Sequence, residues 1–95
     1  MASEAYKFTF SPVVSRQSVG EALITAVFAV ECIHGQSAIR LDAAYRLDEE
    51  KRTCVVNAGT PVGRDIGLLL AGLLALQFGG DAFAVSRVAV GEVAA

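Results

Sequence analysis

The chain has 95 residues, enough for one domain with a modest core, and 54% are hydrophobic against 19% charged, a balance that excludes a disordered segment. Ten acidic and eight basic residues leave a net charge of −2, which argues against a nucleic-acid binder, because such proteins concentrate a basic surplus on one face. Two cysteines do not make a secreted disulfide framework, and the opening MASEAYKFTF lacks a basic region followed by an apolar stretch, so a cytoplasmic soluble protein is expected.

Tyr6 to Phe10 alternates apolar and polar residues with period two, the pattern of a first strand, and Ser11-Pro12 stops it. Ser18-Val19-Gly20-Glu21 has the form of a capping box, in which the Ser18 hydroxyl serves the Glu21 amide and the Glu21 side chain reaches back. Val19, Ala22, Leu23, Ala26, Val27 and Val30 follow at helical spacing, so a first helix is predicted over 18–33, with Gly35 as its stop signal.

From Ile39 the period changes. Ile39, Leu41, Ala43, Tyr45 and Leu47 alternate with Arg40, Asp42, Ala44, Arg46 and Asp48, which predicts a second strand. Asp48-Glu49-Glu50-Lys51 is a charged turn, and Arg52 to Asn57 returns as the third strand of an antiparallel hairpin. A second helix is predicted over 61–79: Thr60 can cap it, Pro61 suits its first position, Asp65 meets the macrodipole, and Gly79-Gly80 ends it. Ala82 to Val90 reads as the fourth strand. With right-handed crossovers the order β-α-β-β-α-β folds most simply into a ferredoxin-like α/β plait, a single domain of four antiparallel strands with two helices on one face. The other face is then open or covered by a second subunit.

Cys32 and His34 form the most chemical-looking pair, with Glu31 beside them and Cys54 as a conceivable third ligand. Zinc sites, however, present two sets of closely spaced ligands, and here there is one loose Cys-x-His. Cys54 alternates in register with Val56 and is expected to be a buried, unreactive core residue. His34 is read as a polar residue at a helix C-terminus, where partial positive charge is favourable. A nucleophile–base pair needs a third group to orient the base, and none is recognisable. The segment Asn57 to Arg64 has glycines and a helix start that could cradle an anion, but it lacks both the GxGxxG and the P-loop spacing, and a plain strand-to-helix turn accounts for it. An RNA-recognition surface needs aromatic rings on the open sheet face, and Tyr6, Phe8 and Phe10 fit a core-facing row better. No cofactor or metal is implied, and the balance is against an enzyme.

Ile66 to Leu76 holds no charged or strongly polar side chain, whereas a helix on the rim of a small monomer needs one wet face. Setting Ile66, Leu69, Leu70, Leu73 and Leu76 on the sheet leaves Leu68, Leu74 and Phe78 towards the sides and outside, as an interface. Gly67 and Gly72 each cost about 1 kcal/mol in a helix interior, which close approach of another backbone would explain. The expected function is that of a small non-catalytic module that self-associates as a homodimer, with another protein as a further possible partner. The apolar run is too short to span a bilayer. The alternative is a dimeric plait enzyme or ligand-binding protein with a pocket near Cys32, His34, Arg40 and Tyr45; a nucleic-acid-binding plait is third.

Overall fold

The structure is a computed structural model and describes residues 4–89. Strands β1 (Glu4–Phe10), β2 (Tyr45–Asp48), β3 (Thr53–Asn57) and β4 (Phe83–Ala89) form one antiparallel sheet in the order β2-β3-β1-β4. The periodicity predicts two helices, but the described residues hold three: α1 (Arg16–His34), α2 (Gln36–Asp42) and α3 (Pro61–Phe78). A single 3-10 turn, Gly80–Ala82, leads into β4. The expected strand end at Val90, and the chain from Gly91 onward, lie outside the described residues.

The added helix, α2, occupies the first half of the predicted second strand, and the reason lies in its missing partner. β2 pairs with β3 in the register Tyr45↔Val56 to Asp48↔Thr53. Carried backwards, that register would set Ala43 against Ala58, Leu41 against Thr60 and Ile39 against Val62. Those positions are already a turn and a helix start, because Thr60 caps α3 and Pro61 opens it. An unpaired strand would leave backbone groups unsatisfied, and a helical turn supplies partners locally. The Ile39 amide donates to the Gly35 carbonyl at 3.3 Å and the Ala43 amide to the Ile39 carbonyl at 3.0 Å. The Thr60 hydroxyl donates to the Asp42 carbonyl at 3.3 Å, joining the end of α2 to the start of α3. Leu41, expected inside, is therefore exposed, and Arg40 and Asp42 leave the sheet.

The start of α1 also differs from its sequence signature. Ser15, not Ser18, is the N-cap, and its hydroxyl accepts the Ser18 amide at 3.1 Å. Glu21 does not reach back; it accepts from the Gln17 side chain at 3.0 Å. The shift follows from Val14, which is buried and whose amide closes a turn onto the Ser11 carbonyl, bringing Ser15 to the cap position. α3 starts as predicted, with the Thr60 hydroxyl accepting the Gly63 amide at 3.1 Å. α1 and α3 stop at Gly35 (φ 92°, ψ 159°) and Gly79 (φ 89°, ψ 155°), backbone conformations open essentially to glycine alone.

Cross-strand partners share a face of the sheet, so the registers sort the side chains. Tyr6, Phe8, Phe10, Phe83, Val85, Arg87, Cys54, Val56, Tyr45 and Leu47 lie on one side. That side meets the helices: Phe8, Cys54 and Val56 are fully buried with Val30, Ile66, Leu70 and Leu74, and Phe8 stacks with Phe10 and Phe83 at centroid distances of 6.3 Å. The opposite face carries Lys7, Thr9, Arg46, Asp48, Thr53, Val55, Ala84 and Ser86, with no aromatic ring among the described residues. Arg52, at φ 54°, closes the β2–β3 hairpin and donates to the carbonyls of Phe10, Ser11 and Val14. One guanidinium thus fastens the hairpin to the β1–α1 connection.

Candidate functional site

α3 has a dry side and an open side. Val62, Ile66, Leu70 and Leu74 recur every four residues and are all buried against sheet and α1. Leu68 and Leu76 stand 66% and 86% exposed, with Gly72 and Ala75 open between them. Leu69, Leu73 and Phe78 are half-buried at the flanks, packed against the core.

Two of the predicted assignments are reversed here: Leu74 is buried, with no exposure, and Leu76 faces outward. The cause is helical geometry. Steps of three fall about 60° short of a full turn and accumulate, so a row reaching Leu76 through Leu73 drifts off the contact, while steps of four from Val62 stay closer to it. Of the expected interface residues, Leu68 is exposed, Phe78 is half-buried and Leu74 belongs to the core.

The two glycines questioned within this helix have different explanations. A Cβ on Gly67 would sit 2.3 Å from Cδ2 of Tyr6, so the tyrosine ring lies directly on the helix backbone. A Cβ on Gly72 would meet nothing within 4 Å. Gly72 is thus a helix-interior glycine whose small size no neighbour among the described residues requires.

Beside α3, a shallow groove of about 230 Å³ runs along β4, lined by Tyr6, Gly67, Leu68, Ala71, Val85, Ser86 and Arg87. Its walls are mostly apolar; Arg87, at one end, lies 3.4 Å from Glu4 in an exposed ion pair. Val85 is exposed although it belongs to the helix-side face, because β4 is an edge strand and α3 leaves its margin uncovered. On α1, Ile24 and Phe28, one turn apart, are also exposed.

The residues expected to line a pocket fall on three elements, α1, α2 and β2. Cys32 is exposed in the last turns of α1, Arg40 is exposed on α2, and Tyr45 is exposed at the start of β2. His34 is half-buried, and its Nε2 lies 2.7 Å from Oδ2 of Asp65, joining the end of α1 to the second turn of α3. With the carboxylate accepting, that nitrogen carries the proton. Sequence reading assigned Asp65 to the helix macrodipole; no local signal links it to a histidine 31 residues away. Neither the α3–β4 groove nor the smaller one between the start of α1 and the β2–β3 hairpin includes any of these four residues.

Cys54 lies in the core, and burial, which penalises the thiolate, raises its thiol from 9.0 to about 11. The unfolded chain releases this proton near pH 9 and the folded chain only near pH 11, so stability is fully present below pH 9 and falls between the two values. Over that window wild type is expected to lose about 2–3 kcal/mol more than Cys54→Ala in urea unfolding. Equal pH slopes for the two proteins would refute the assignment.

Comparison of the chain with family models, with curated proteins and with solved structures returned no match.

Proposed function

We propose that this protein is a non-catalytic assembly module built on a ferredoxin-like plait, and that two copies pack through the outer side of α3. The strand order β2-β3-β1-β4 supports the plait reading, with α2 as an insertion ahead of β2. One observation carries the assembly reading: the open side of α3 reads Leu68, Gly72, Leu76, with the two leucines four residues either side of a glycine that has room for another backbone. Such a stripe is its own complement. An antiparallel copy crossing at Gly72 sets each Leu68 against the partner's Leu76, the isologous contact of a two-fold dimer. Burying a leucine stabilises by roughly 1.5–3 kcal/mol relative to leaving it in water, and the symmetry doubles the number of leucines buried.

A membrane-surface role fits less well, since interfacial helices carry Lys and Arg around the apolar face, whereas α3 beyond its second turn has no charge. α3 does have the length and composition to cross a bilayer, yet its buried row already serves the core. The pocket alternative has little support, with Cys32 in solvent and His34 engaged by Asp65.

Sedimentation velocity tests the reading. Wild type is expected to sediment as a dimer, and Leu68→Lys/Leu76→Lys as a folded monomer with an unchanged circular dichroism spectrum. Wild type remaining monomeric at millimolar concentration would end the proposal.

A further inference from the structure

The edge of β4 offers two copies a second way to join. Hydrogen bonds on either side of β1 show which way the strand groups aim. The Phe10 amide donates to the Arg52 carbonyl and the Ala58 amide to the Glu4 carbonyl, so even-numbered β1 residues bond towards β3. The Ser11 amide donates to the Ala82 carbonyl, so odd-numbered ones bond towards β4. Their partners Ala84, Ser86 and Val88 are thereby satisfied. In an antiparallel ladder the intervening residues aim the other way. The amides and carbonyls of Phe83, Val85 and Arg87 therefore point off an edge of the sheet that no strand among the described residues covers.

The two edges are guarded very differently. β2 is four residues long and carries Arg46 and Asp48. β4 is seven residues long, pairs with β1 without a bulge, has no proline, and holds one charge, Arg87. Natural sheets protect exposed edges with shortness, charge, proline or bulges, and β4 uses almost none of these. Beside this bare edge lies the apolar groove of Leu68, Ala71 and Val85.

We infer that β4 pairs antiparallel with the β4 of a second copy, about a two-fold axis at Val85, making one continuous eight-stranded sheet. This rests on the reading of self-association but is a contact distinct from the α3 crossing: its two-fold axis stands at Val85 beside the sheet rather than at Gly72 on the outer side of α3, and Val85→Pro weakens only the edge-paired dimer. In the register centred on Val85, the outward groups of Phe83, Val85 and Arg87 all find partners. The exposed Val85 side chain meets its mate, and Arg87 lies across from the partner's Phe83 rather than from another arginine. Helix sides stay on the same face, so Leu68 from each copy flanks the seam and the two α3 helices run antiparallel beside it. A strand other than its own could use the same hydrogen bonds. Only a second copy, however, also brings a second Leu68 and avoids like charges opposite each other in this register.

Val85→Pro is the test, because it removes an amide hydrogen that the single chain does not use, and proline is tolerated where an edge amide faces solvent. The variant is expected to keep the wild-type circular dichroism spectrum and to raise the dimer dissociation constant at least ten-fold. An unchanged dissociation constant overturns edge pairing and leaves the α3 reading standing; a monomeric wild type overturns both. Residue-resolved amide exchange on wild type gives a result even if the variant fails to fold. The Val85 and Arg87 amides are expected to be protected at high concentration and to exchange faster on dilution, and free exchange at both would overturn the pairing.

Discussion

Gly63→Ala is expected to cost at least about 2–3 kcal/mol of stability, a loss of more than about 10 °C in thermal midpoint for a domain of this size. A Cβ at this position would lie 1.7 Å from the Asn57 carbonyl oxygen, 2.9 Å from its carbon and 3.3 Å from the Thr60 hydroxyl. No side chain can swing aside to make room. Asn57 is the last residue of β3 and its amide is bonded to the Ala44 carbonyl, so retreating there pulls on the β2–β3 pairing. Retreating on the helix side breaks the cap from Thr60 to the Gly63 amide. Alanine regains about 1 kcal/mol of helix propensity, too little to offset either movement. Gly72→Ala is the control, with nothing within 4 Å of the added methyl. In the Leu68→Lys/Leu76→Lys background, where no second copy interferes, it is expected to stabilise by up to about 1 kcal/mol. Equal effects at the two glycines would mean that the helix does not approach β3 as described.

Leu74→Ala should destabilise by about 3 kcal/mol, whereas Leu76→Ala should stay within about 0.5 kcal/mol of wild type in dilute, monomeric protein. Leu74 is fully enclosed by the core and Leu76 is almost entirely in solvent. Truncating a buried leucine loses its transfer free energy and leaves a cavity that close-packed neighbours fill only in part. Urea unfolding of the two single variants decides which side of α3 is inside. If Leu76→Ala proved the costlier in monomer, the rotation of α3, and with it the self-complementary stripe, would be wrong. Only at concentrations where dimer forms should Leu76→Ala acquire a cost, read as weaker association rather than as lower monomer stability.

Some elements could be read from a few neighbouring residues because the forces that make them are local. Thr60-Pro61 and Gly79 bound α3 within a residue of the predicted limits, since cap and stop act on the adjacent backbone. The alternation in β1 and β3 placed Phe8, Phe10, Cys54 and Val56 inside, since one register of a two-residue repeat buries all four. Even so, the capping-box pattern at Ser18 yielded to Ser15, because the turn that buries Val14 decides where α1 can begin.

Tertiary structure decided the rest. The segment from Ile39 to Asp42 alternates as a strand does, yet becomes helix because its would-be partners are consumed by the start of α3, a fact nearly twenty residues distant along the chain. An all-apolar helix carries no label for its inner side, so Leu74 and Leu76 were sorted only by where Gly63 and Gly67 meet β3 and Tyr6. His34 found Asp65, and β4 became an edge strand among the described residues, through the packing of elements whose pairing no local pattern encodes. The apolar run from Ile66 to Leu76 disclosed that some of its side chains would face outward, and only the packed chain disclosed that Leu68 and Leu76 are the ones that do.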